Sequence, residues 1–304
     1  MARRPVLSTS MRRWIEAAAG PPPPAVDRFA TFTYGLAQPL LGLRMLRRHP
    51  ELLRPALLPV VLVTIFCALS AVGGPHPTVG GMVVRFYAAL AGAASAPPFL
   101  FADRYARVAA RAHERLGLGP AEPRLTRFMP RLRQLLRFAL VIALPIAPVL
   151  WIVGAVPFAG AAAAYVVSAA WTLHWIVVEA LDGARVAGAP GAAPPEWPWF
   201  LAWAGRPGFA DLPGLVRRPL GWAARRVRAL TRPWHEEAAL AAANPILSTG
   251  FGLAVAGLLA VPVVNLLLRP AVLIGGVHLL ARVRAAAPVA AGSTVTSTVA
   301  SAGP

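Results

Sequence analysis

The sequence predicts an all-α integral membrane protein, with about six hydrophobic helical segments arranged as three hairpins, some of them only half-penetrating. Three observations lead there. The chain is 57% hydrophobic and only 14% charged, with a mean hydropathy of +0.59, which lies outside ordinary soluble composition. Its apolar residues gather in charge-free windows at Pro55–Val84, Phe86–Ala102, Phe138–Val178 and Ala238–Leu268, the last continuing past Arg269 to Ala281. The net charge of +18 arises from 30 basic residues, all arginine, against 12 acids. Nine arginines lie between Arg3 and Arg54, nine between Arg104 and Arg137, and eight between Arg185 and Arg232, flanking the apolar windows. That placement reads as topogenic charge facing anionic lipid, so no nucleic-acid partner is expected.

The elements follow in chain order. Residues 1–28 form a cytoplasmic N-terminal segment; charges and the run Pro21–Pro24 stand where a signal peptide would need an apolar stretch. The membrane domain covers 29–284. Leu57–Val72 with its flanks, and Ala161–Val178, are long enough to cross ~30 Å of hydrocarbon at ~1.5 Å per residue. Phe86–Ala102 ends in Pro97-Pro98, Phe138–Val153 carries Pro145 and Pro148, and Ala271–Ala281 is short. Such pieces must tilt, kink or enter part-way, with freed backbone groups covered by protein, which predicts a homo-oligomer. Chain reversals are expected at Gly73–Pro77, Gly154–Gly160 and Pro262–Pro270. Each apolar unit is then a hairpin, and the positive-inside rule puts both termini in the cytoplasm of a bacterial-type inner membrane.

The polar connections are patterned as well. In Gly214–Leu230 the apolar Val216, Leu220, Ala223, Val227 and Leu230 step by four and three, with Arg217, Arg218, Arg225, Arg226 and Arg228 mostly elsewhere around the helix. Trp197, Trp199, Trp203, Trp222 and Trp234 surround it within the long Trp/Arg-rich connection 183–245. A basic amphipathic helix with tryptophan neighbours predicts an anionic lipid surface as partner. Arg104, Arg107, Arg111 and Arg115 form a second stripe, and Arg44, Arg47, Arg48 and Glu51 a third. The tail 285–304, ending AAGSTVTSTVASAGP, has the composition of a disordered segment.

No enzyme is expected. Gly250–Gly257 lacks the third glycine of a dinucleotide loop and opens an apolar helix, so close helix packing by small residues explains it better. His235-Glu236-Glu237 has no second histidine four residues on, and Cys67 stands alone inside an apolar span, so neither a metal site nor a cofactor is implied.

Phe251–Leu280 carries Pro262, Asn265, Pro270 and Gly275 at fixed spacing after Phe251-Gly252. This run resembles the C-terminal signature of the CysZ-type sulfate permeases, a family that also includes the etoposide-induced, autophagy-linked membrane proteins. Further matches are Tyr34-Gly35, the entry Pro50, Arg54, Leu58 and Pro59, Ala96–Phe99, Leu181-Asp182, and Gly275–Val277. Leu53 stands where the family has another arginine. The resemblance implies that Gly35, Pro59, Gly252, Pro262, Pro270 and Gly275 are structural, and that the arginine entry holds sulfate.

The residues offer their own reading of that entry. Pro55 at a helix start has no N–H to leave unsatisfied, the amides that follow, Leu57 and Leu58 among them, point outward, and Arg54 adds a planar oxyanion donor. Asn265 either caps a turn or lines a polar path; Arg269 either snorkels to an interface or faces an anion. The expected function is an anion permease or channel for a small inorganic oxyanion of the sulfate class. The alternative is a non-transporting protein of the same fold that organises membranes or partners.

Overall fold

The computed structural model describes residues 9–24, 26–73, 78–93, 100–125, 128–187, 197–260 and 262–286. Every regular element among them is helical, apart from the isolated bridge between Glu122 and Ala187.

The centre of the bundle is α2 (Arg28–Arg48), which follows the short α1 (Thr9–Ala18). Asp27 starts α2 by accepting a hydrogen bond from the Ala30 amide at 2.9 Å, satisfying one of the four orphan donors of a helix start. The helix is wedged between α11 (Pro245–Ala260) and α12 (Pro262–Ala286). Glycine makes that possible. A Cβ on Gly35 would lie 2.2 Å from the Leu247 carbonyl oxygen, and one on Gly275 would lie 2.5 Å from that of Gln38. Gly42 and Gly250 are equally crowded, by Ala271 and Phe32. Backbones therefore touch directly, as in membrane helix pairs built on small residues. Gln38, fully buried, donates to the Ala18 and Tyr34 carbonyls and meets His278 at 2.8 Å, fixing the rotation of α2 against α12.

Around this core, α3 (Arg54–Val72) packs on α4 (Val79–Ala93), and α7 (Ile146–Gly154) on α8 (Gly160–Gly183). α6 (Phe128–Ala143) continues through a short break into α7. Among the described residues, three stretches are long and apolar enough to cross a membrane: α3, Met129–Gly154 and α8; a fourth arises if α11 and the helices before it count as one bent span. Their exposed faces are apolar, from Leu62, Phe66 and Leu69 on α3 to Leu136, Leu140 and Trp151 on α6 and α7. In water such faces would be costly; in lipid they are solvated. The chain reads as a multi-pass membrane protein.

The reversal between α7 and α8 falls where the sequence puts it, with Phe158 at positive φ (64°) and fully exposed at the tip. The first reversal begins at Gly73, and 74–77 lie outside the described residues, as do 94–99 and the tail from 287. The third departs from expectation. α12 is one helix of 25 residues that runs through Pro270, so Pro262–Pro270 is helical rather than a reversal, and position 261 lies outside the described residues. Proline removes one i→i−4 bond, and the surrounding packing of Ala271, Val272 and Ile274 against α2, α5 (Ala102–Arg115) and α8 holds the helix together across it. The piece Ala271–Ala281 is accordingly part of a long helix.

The Arg-rich connection forms α9 (Gly214–Thr231), as the periodicity of Gly214–Leu230 predicts, and then α10 (His235–Ala243), which that periodicity does not cover. The chain then turns by 111° into α11.

Candidate functional site

At the C-terminal end of α8, five helices line a half-open cavity of about 120 Å³ whose walls mix charged and apolar side chains. α5 contributes Tyr105, α6 contributes Arg131 and Gln134, α8 contributes Glu179 and Asp182, α12 contributes Arg269, and α11 closes one wall with Val255 and Leu259. Arg124 and Arg185 line it from the segments after α5 and α8. The volume holds several waters or one tetrahedral oxyanion.

The charges are matched in pairs. Arg269 donates to Glu179 at 3.0 Å, Arg124 to Asp182 at 2.8 Å, and Arg131 to Asp103. Asp182 also accepts from Gln134 at 3.0 Å and from the Trp234 indole at 3.2 Å. Asp182 sits in the last turn of α8, where the negative end of the helix dipole disfavours a carboxylate, and Glu179 just before it; the arginines offset this. The walls carry four guanidiniums against two carboxylates. Tyr105, 3% exposed, has its hydroxyl buried at this cavity without a hydrogen-bond partner among the described residues. Burial pushes its pKa up to about 12, so it keeps its proton and is a donor.

Arg185 links the cavity to a second cluster. It pairs with Glu237 at 2.9 Å and with Glu236, which also binds Arg284 of α12. Glu237, 1% exposed, is pushed up to about 7, first by burial and then by the charges of Asp182 and Glu236, which Arg185 only partly counters. Among the described residues no group of His, Cys, Asp and Glu is arranged to hold a metal.

The predicted site residues divide. Arg269 lies in the cavity wall, 8% exposed. Arg54 opens α3 with Pro55 at its first turn, yet its side chain is exposed and outside the cavity lining; Leu57 and Leu58 are exposed on the apolar flank. One link exists: Ala56, in the same turn as Arg54, packs with Tyr105 and Leu273, both of which line the cavity. Pro262 and Asn265 belong to α12, and their side chains lie outside the described residues. Gly35 and Gly275 serve the α2 contacts, Gly252 faces Val177 and Leu173 of α8, Pro59 is buried within α3, and Pro270 within α12. His174 accepts from the Trp199 indole at 3.3 Å, away from Asp182.

Sequence reasoning missed Tyr105, Arg124, Arg131, Gln134 and Arg185 as members of one site. The only sequence signal of Tyr105, Arg131, Gln134 and Arg185 is that each lies near the edge of an apolar window, which holds for many arginines of this chain, and Arg124 lacks even that. No protein-family model matches the chain, and neither a curated protein nor a solved structure matches it.

Proposed function

We propose that this protein is an inner-membrane permease or channel for a small inorganic oxyanion, with sulfate the first substrate to test. The observation that supports it best is the cavity: guanidiniums outnumber carboxylates on its walls, and Tyr105, whose buried hydroxyl has no partner among the described residues, is part of the same lining. An oxyanion entering it exchanges water for several charge-assisted hydrogen bonds. Arg54 is the proposed capture point, in the same helix turn as Ala56, which packs on Tyr105 and Leu273 of the cavity wall. In this reading α3, Met129–Gly154 and α8 span the membrane, the arginine-rich ends face the cytoplasm, and copies of the chain associate to cover the shorter helices. The motifs resembling the CysZ-type permeases agree with it.

A second reading has its own observation. The four lining arginines all hold carboxylate partners, as a purely structural lock would require, and this favours a non-transporting, membrane-organising protein. Sulfate flux into proteoliposomes separates the two. Wild-type protein is expected to exceed empty vesicles, and Arg54→Glu to lose roughly ten- to a hundredfold of that flux, since a charge-assisted bond becomes a like-charge contact. Absence of sulfate, thiosulfate, selenate and phosphate flux, where a known permease is active, selects the organising role; normal flux in Arg54→Glu keeps transport and removes Arg54 from the path.

A further inference from the structure

α9 has two sides of different character. Gly221, Ala224 and Thr231 are buried, and the helix packs against α6 and the Trp199–Gly205 turn. At 100° per residue, the side opposite these carries Leu215, Trp222 and Arg226, with Arg218 and Arg225 beside them. Leu215 is 93% exposed and Trp222 57%, and the adjoining turn adds exposed Trp199 and Trp203. A cytosolic face has no reason to present a leucine and a tryptophan among arginines, whereas the headgroup layer solvates both kinds of group at once.

Orientation supports the same conclusion. The helical stretch Gly214–Ala243 meets α11 at a bend of 111°, closer to perpendicular than to parallel, so an α11 that runs with the bundle leaves α9 along the membrane plane. Its partner α6 belongs to a candidate span whose Leu132, Leu136 and Leu140 are exposed. The arginine density of α9 matches an anionic surface: Arg226 stacks 5.5 Å above the Trp222 ring, which holds the guanidinium at the level of the aromatic anchor.

We propose that α9 is an interfacial helix that docks on anionic phospholipid headgroups through Arg218, Arg225 and Arg226, with Leu215 and Trp222 inserted beneath them. The inference is independent of transport: it rests on no residue of the cavity and applies equally to a membrane-organising protein.

The test uses the full chain with Cys67→Ser and Leu215→Cys, labelled at the new thiol with an environment-sensitive dye. The protein is placed in nanodiscs of phosphatidylcholine alone or mixed with phosphatidylglycerol, each doped with a phospholipid carrying a shallow nitroxide quencher. In the anionic discs the dye is expected to shift to the blue and be quenched, and salt is expected to reverse this. Replacing Arg218, Arg225 and Arg226 together by Gln should lower the docked-to-undocked ratio on the order of a hundredfold, whereas Lys at all three keeps most of it. The lysine variant separates charge from folding. Equal quenching in neutral and anionic discs, no quenching in either, or dye self-quenching between two copies regardless of lipid each overturns the proposal.

Discussion

Arg269 and Glu179 meet at 3.0 Å from helices α12 and α8, with the arginine almost wholly out of solvent. A pair in such a place contributes little net stability, because desolvation nearly cancels the attraction, but removing one partner leaves the other's charge buried. Arg269→Met is therefore expected to cost roughly 3 kcal/mol, and Arg269→Met with Glu179→Leu to recover most of it. Thermal unfolding in detergent measures both; additive losses would mean that the two residues do not act as a pair. Arg269 stood out in the sequence because it interrupts an apolar run. Its partner did not, since Glu179 is one of several polar groups near the end of α8, and a separation of 90 residues leaves no spacing to read. Arg54 shows the converse: its motif is legible, yet its side chain faces outward.

Among the elements, the bounds of α9 were legible almost to the residue from its period, but its packed side was not: Val216, Leu220 and Ala223 of the apolar stripe are exposed, and Gly221, Ala224 and Thr231 are buried. α2 was not legible. Its uncharged stretch between Arg28 and Arg44 is too short for a span, and Gln38, Thr31 and Thr33 dilute its hydropathy, although it occupies the centre. What qualifies it is the pair Gly35 and Gly42, seven residues apart on one face, each against a partner backbone. The continuity of α12 was hidden for another reason: Pro270 reads as a breaker, and only packing from three neighbours shows why it does not break. Gly35→Val should push α2 from α11 and destabilise the fold by about 1–3 kcal/mol. Gly257→Ala, on the same α11 with open space around it, should be neutral or stabilising by up to about 1 kcal/mol. Equal effects of the two in a thermal-shift assay would remove close backbone contact as the cause.

For the whole molecule, composition and the arginine blocks were enough to indicate a helical membrane protein, because both are set by the solvent rather than by particular contacts. The number of crossings was not legible, since proline and glycine mark a kink and a reversal alike. With Cys67 replaced, single cysteines at Gly20, Pro120 and Ala285 are expected to react with an impermeant thiol reagent only after cells are opened. A cysteine at Phe158, on the apolar tip, should react poorly from either side. Outside labelling at Pro120 would reverse or break the proposed topology.

The position of α2 also sets the order in which the chain can mature. The helix is made within the first fifty residues, but the helices that flank it, α11 and α12, occupy 245–286. While everything between is synthesised and inserted, the Gly35 and Gly42 grooves have no partner and Gln38 no His278. Assembly is then closed by the last helices, which makes the protein's survival in the cell depend on complete translation: a ribosome that stops near Asn244 releases a chain whose earliest helix has nowhere to dock and is open to quality-control proteases.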